Sequence, residues 1–103
     1  MSENNTKELT IVVKDLSIEK EQHVDDLIRF LEERLPQIEL SRSGNEIGVV
    51  MPSDMSRRAI KLRIKKFLYR KNLTEKYRPI SYKTSDNQGY MIKEKKSLEL
   101  TYY

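Results

Sequence analysis

The sequence contains no cysteine. That excludes a disulfide framework and any thiolate metal site, and it favours an intracellular protein. There are only three glycines, and none sits in a glycine-rich loop that could cradle a phosphate. The one histidine, His23, stands beside Asp25 and Asp26 at the polar start of a helix. A lone histidine in that setting reads as a surface residue rather than a catalyst. No nucleophile elbow and no cluster of metal-ligating side chains is legible. No enzyme activity, cofactor, metal or small-molecule substrate is therefore expected. No apolar run approaches the roughly 18 residues that a membrane span needs. The first residues, MSENNTKE, lack the apolar core of a signal peptide. The expectation is a soluble, cytoplasmic protein without a membrane partner.

What the chain does have is charge. Charged residues make up 35% of its 103 residues, against about 25% in an ordinary domain. Hydrophobic residues make up 37% and fall in periodic runs, which predicts one small folded domain over 8–103 after a disordered polar end at 1–7. The net charge of +4 hides an asymmetry. Residues 1–54 carry six basic and twelve acidic side chains, and residues 55–103 carry fourteen basic and four acidic ones. Unless the fold mixes the two halves, one side is electropositive and suits a polyanion.

Glu8 to Asp15 (ELTIVVKD) is rich in β-branched residues and reads as a strand with one face more buried than the other. Val24, Leu27, Ile28, Leu31 and Leu35 recur at helical spacing, which predicts an amphipathic helix over about 20–35, stopped by Pro36. Ile38 to Arg42 and Glu46 to Met51 flank Ser43-Gly44-Asn45 and read as a β-hairpin. A second helix follows over about 56–72, with Ser53, Asp54 or Ser56 as its cap and Asn72 as its end. Arg78 to Thr84 and Tyr90 to Lys95 read as strands around a turn at Ser85 to Gly89. Ser97 to Tyr103 (SLELTYY) reads as a further strand, which leaves open whether it or 90–95 ends the sheet. The predicted fold class is α+β, a two-layer α/β sandwich in β-α-β-β-α-β-β order, with two helices on a mostly antiparallel sheet.

The second helix, SRRAIKLRIKKFLYRKN, has eight Arg or Lys among the seventeen residues from Ser56 to Asn72 and no acidic residue. At about 100° per residue, Ile60, Ile64, Phe67 and Leu68 form one buried stripe. Arg58, Lys61 and Lys65 then lie on one outer flank, Lys66 and Arg70 on the other, with Leu62 and Tyr69 between them. A solvated helix normally mixes signs, because like charges at i,i+4 cost a few tenths of a kcal/mol per pair. Here Arg57/Lys61, Lys61/Lys65 and Lys66/Arg70 are all like-signed. Phosphate contacts with counterion release would offset that cost. A membrane surface fits poorly, since the apolar stripe is needed against the sheet. Lys76, Arg78, Lys83, Lys93, Lys95 and Lys96 extend the basic character, with Tyr77, Tyr82, Tyr90, Tyr102 and Tyr103 among them. Such strand tyrosines are more often packing residues than base-stacking ones, so Tyr69 is the better contact candidate.

The run S-R-R-A-I-K-L-R-I-K-K-F-L-Y-R-K-N-L from Ser56 to Leu73 resembles, without a gap, the motif S-K-R-x-L-K-x-L-x-K-K-Y-L-K-K-N-N-L of the eukaryotic-type large-subunit ribosomal protein twenty-two family. FLEERL at Phe30–Leu35 is similar to that family's FLQERI, the hairpin IELSRSGNEIGVVM sits where the family has one, and SLELTYY resembles its last strand, S-Y-E-L-R-Y-F. The resemblance spans about residues 8–103 in element order and is specific in the second helix. It implies a structural α/β protein of the large ribosomal subunit, working in translation in the cytoplasm, that holds a hairpin of ribosomal RNA. Carried over by position, the RNA-binding residues are Arg57, Arg58, Lys61, Lys65, Lys66, Arg70 and Lys71. Tyr69 joins them as an outward aromatic, although the family tends to have Lys there. The chain lacks the family's Lys-rich N-terminal extension and acidic C-terminal tail. Neighbouring ribosomal proteins could meet Glu19, Glu21, Asp25, Asp26, Glu32 and Glu33 of the acidic first helix. The alternative is a non-ribosomal RNA-binding or protein-interaction module that uses the same basic face. A helix-turn-helix is excluded, because a hairpin separates the two helices.

Overall fold

The computed structural model describes residues 5–95. Its fold is α+β. Three helices accompany one five-stranded sheet, in the order β1 (Thr6–Val12), α1 (Lys14–Glu19), α2 (Glu21–Arg34), β2 (Glu39–Ser43), β3 (Glu46–Pro52), α3 (Arg57–Arg70), β4 (Tyr77–Lys83) and β5 (Gln88–Glu94). The strands lie side by side as β2-β3-β1-β5-β4. Every pairing is antiparallel except β1 with β5, a short parallel junction from Thr10↔Gly89 to Val12↔Met91. The fold therefore does mix the two halves of the chain, since β5 of the basic half lies beside β1 of the acidic half.

Alternation sets the two faces of the sheet. Leu9, Ile11, Ile47, Val49, Met51, Tyr90 and Ile92 point to one face and are buried. Leu16 of α1, Val24, Leu27 and Leu31 of α2, and Ile60, Ile64, Phe67 and Leu68 of α3 close over that face in a single core cluster. The opposite face keeps half-buried Val12, Val50, Ile80, Tyr82 and Met91.

The structure differs from the sequence expectations in a few places. The first strand begins at Thr6, inside the expected disordered end, because Thr6 and Lys7 pair with Pro52 and Met51. It also ends at Val12, earlier than Asp15, because Lys14 opens a helix of six residues that hydropathy spacing did not reveal. Among the described residues the order is thus β-α-α-β-β-α-β-β, with three helices rather than two. Lys20, extended at φ −168°, ψ 117°, separates α1 from α2. The Ser17 hydroxyl donates to the Glu21 carboxylate across that break. Gly89 belongs to β5 rather than to the turn before it. The expected strand at Ser97 to Tyr103 lies outside the described residues.

Ion pairs stitch the halves together. Lys76 Nζ donates to Glu19 Oε2 at 2.8 Å, and Lys71 Nζ to Asp26 Oδ2 at 2.7 Å. These hydrogen bonds hold both carboxyls below the usual carboxylate range. The Tyr77 hydroxyl donates to Glu19 Oε1 at 3.4 Å. Burial, with the charge of Glu19 beside it, pushes that phenol up to about 12.

His23 is half-buried on α2, and its Nδ1 has no hydrogen-bond partner among the described residues. Burial first, then the charges of Lys20 and Lys71, push its imidazole below the ordinary 6.5. The unfolded chain therefore takes up this proton at a higher pH than the folded one. The His23 contribution to stability is complete above pH 6.5 and is lost as pH falls from there through the lower folded value. Urea denaturation between about pH 7.5 and about pH 5.5 is expected to show this decline, and His23→Gln to flatten it. Loss of the Glu19 and Asp26 pairs belongs to a separate, more acid range, below the ordinary carboxylate values of 4.5 and 3.8.

Candidate nucleic-acid interface

Helix α3 is held at both ends by its own sequence. The Ser56 hydroxyl accepts from the backbone N–H of Arg58 at 3.1 Å, which makes it the N-cap among the three candidates Ser53, Asp54 and Ser56. At the other end Asn72 adopts φ +62°, the left-handed conformation that Asn tolerates. Leu73 N–H then reaches Leu68 O at 2.7 Å, and Asn72 N–H reaches Tyr69 O at 3.1 Å. These two bonds make a Schellman ending, with buried Leu73 packed near Leu68. Ile60, Ile64, Phe67 and Leu68 are at most 2% exposed, as the wheel required. With the helix fixed in rotation, its polar residues have one orientation available.

Leu62 and Tyr69 face out at 50% and 75% exposure. Arg58, Lys65, Lys66 and Arg70 are exposed around them, and Lys61 and Arg63 are half-buried. None of these six cations is within ion-pair distance of a carboxylate among the described residues. Lys61 Nζ instead lies 5.9 Å from the Tyr90 ring centroid, a loose cation–π contact beside β5.

The eight candidate residues do not all share this surface. Lys71 turns back to Asp26 on α2, so its charge is already matched. Arg57 is half-buried, with its Nε enclosed and without a partner among the described residues. On the wheel both fall near the apolar stripe at the two ends of the helix, a signal that the count of charges conceals. Arg58, Lys61, Lys65, Lys66, Tyr69 and Arg70 do share the outer surface.

Two further cations belong there. Arg63 lies beside Lys66 and Arg70 on the flank that faces α2, and Arg34 comes from the last turn of α2. Arg34 and Arg70 place their guanidinium carbons 5.2 and 5.9 Å from the centroid of the Phe30 ring. Phe30 packs in turn on Phe67, with centroids 5.7 Å apart and ring planes tilted by 54°. The sequence signal for Arg34 was its i+4 spacing from Phe30 in FLEERL.

The acidic first half is less available. Glu21 pairs with Arg42 at 2.8 Å, Glu19 with Lys76 and Asp26 with Lys71. Of the six acidic candidates, Glu32 and Glu33 make no ion pair among the described residues, and Asp25 has only a 3.9 Å approach to Arg42. The strand tyrosines also divide. Tyr77 and Tyr90 are buried packing residues, Tyr82 is half-buried, and Tyr102 and Tyr103 lie outside the described residues.

No helix among the described residues is long and apolar enough to cross a membrane. Searches against known protein families and against curated proteins find no match for this chain.

Proposed function

We propose that this protein is a non-catalytic, structural RNA-binding component of the large ribosomal subunit, gripping ribosomal RNA with the outer face of α3. The observation that carries the RNA reading is the division of the cations. Arg29, Arg42, Lys71 and Lys76 have carboxylate partners, whereas the cations gathered on the outer α3 face have none among the described residues. A rigid helix with unpaired cations on two flanks matches two rows of phosphate across a groove. Duplex RNA hides its bases in a deep major groove, so recognition falls on phosphates, 2′-hydroxyls and shape. Arg58 and Arg70 can hold phosphate through two parallel hydrogen bonds, while Lys61, Lys65 and Lys66 act as point charges. The ribosomal assignment draws on the resemblance of Ser56–Leu73 to the large-subunit family, and with it goes a place on the cytoplasmic ribosome.

The test is a salt titration with a structured RNA hairpin. If roughly five phosphates are engaged, log affinity falls against log salt with a slope of about −4.5. A slope near zero would remove the phosphate-binding reading.

A further inference from the structure

The groove between α2 and α3 carries more than phosphate-binding charge. It is an open depression of about 480 Å³, lined by Phe30 and Arg34 of α2 and by Arg63, Lys65, Lys66, Tyr69 and Arg70 of α3. Tyr69 stands 75% exposed at its edge. The Phe30 ring is braced from behind by Phe67 and roofed by the guanidinium groups of Arg34 and Arg70. Glu33 lies on the other side of Phe30 and Arg70, in a neighbouring depression, and does not line this groove.

A surface that only tracks phosphates needs cations and no aromatic ring. An A-form duplex offers Tyr69 no base face, because every base is stacked inside the helix. An exposed ring among unpaired cations gains a partner only where a base leaves the stack. Aromatic rings and arginine planes are the side chains on which splayed-out bases stack, and one such base adds about 5- to 150-fold in affinity.

Resting on the RNA reading above, we propose that this groove receives one unpaired nucleotide, its base stacked on Tyr69 and its phosphate held by Arg34 and Arg70. Helix α3 then binds a duplex interrupted by a bulge in preference to an unbroken one. Arg63 and Lys66 would hold the phosphates on either side of the bulge.

The experiment compares two RNA hairpins, identical except that one carries a single bulged 2-aminopurine. The full chain is expected to bind the bulged hairpin about 5- to 150-fold more tightly and to quench its fluorescence. Tyr69→Ala should bring the ratio of the two affinities close to one, with the loss falling on the bulged hairpin, and Tyr69→Phe should keep it. Arg34→Ala should weaken the bulged complex more than the paired one. Equal affinity of the unaltered protein for both hairpins, or a preference that survives Tyr69→Ala, would overturn the inference and leave the RNA reading standing. Binding to neither hairpin at low salt would overturn both. Displacement of the bulged hairpin by polyglutamate at equal charge concentration would assign the groove to an acidic peptide instead.

Discussion

Replacing Lys65 and Lys66 together by Glu is expected to abolish RNA binding while the domain stays folded. Both side chains are exposed on α3. Neither takes part in an ion pair among the described residues, so the fold loses no ion pair with them. They stand on opposite flanks of the outer face, one beside Arg58 and Lys61 and the other beside Arg70. The double reversal therefore interrupts both proposed rows of phosphate contacts. A hydrogen bond to a charged group contributes about 1.5–3 kcal/mol, so losing two weakens binding by about 10²- to 10⁴-fold. Repulsion from the new carboxylates adds to that. Glutamate is as good a helix former as lysine, and the reversal relieves some of the like-charge cost within α3. Urea midpoints should accordingly be equal or slightly higher. Lys71→Ala is the contrast. It breaks the pair with Asp26, so it should lower stability slightly and change RNA affinity little. A gel-shift titration with circular dichroism on the same samples checks all of these outcomes. Unchanged affinity in the folded double variant would remove α3 from the interface.

Gly89→Ala is expected to be the most damaging single change to the fold. A methyl at position 89 would lie 1.8 Å from the carbonyl oxygen of Thr10 and 2.7 Å from its carbonyl carbon and nitrogen. Those atoms are backbone, and no rotamer change can move them aside. Thr10↔Gly89 is the first of only three register positions that join β1 to β5. Among the described residues, that junction is the sole strand pairing between the β2-β3-β1 half of the sheet and the β5-β4 half. Retreat of β5 by an ångström or more opens the sheet and uncovers Ile92 and Tyr90. The loss should be about 3 kcal/mol or more, a large share of the 5–15 kcal/mol that stabilises an ordinary domain. Gly48→Ala is the control. Its nearest neighbour is the rotatable Ser41 hydroxyl oxygen, at 3.2 Å. Equal urea midpoints for Gly89→Ala and the unaltered protein would contradict the β1–β5 register.

The long elements were legible because their signals are long. Five apolar positions at helical spacing placed α2, and Ile60, Ile64, Phe67 and Leu68 placed α3 and its rotation. The end at Asn72 followed from residue chemistry that acts within a single turn, whereas the same chemistry left Ser53, Asp54 and Ser56 as equal cap candidates and the structure selects Ser56. Helix α1 was hidden for a physical reason. Its six residues make less than two turns, and the β-branched Ile11, Val12 and Val13 before it carry the strand pattern up to its first residue. Gly89 reads as a turn residue from its neighbours Ser85, Asp86 and Asn87, and only the approach of β1 reveals why no side chain fits there. Within the site, charge counting found the helix but treated its cations alike. Lys71 and Arg57 separate from the others because α2 and the core lie against their ends of α3. Arg34 and Phe30 enter because α2 packs beside α3, a juxtaposition that no local pattern records.

The central claim is that the outer face of α3 meets ribosomal RNA of the large subunit. Ultraviolet crosslinking in native lysate, followed by sequencing of the attached RNA and mapping of the crosslinked peptide, tests it most directly. The expected result is large-subunit ribosomal RNA enriched over total RNA, with crosslinks on the peptide that carries Tyr69. Crosslinked RNA no more abundant than with the Lys65→Glu, Lys66→Glu double variant, or crosslinks confined to other surfaces, would contradict it.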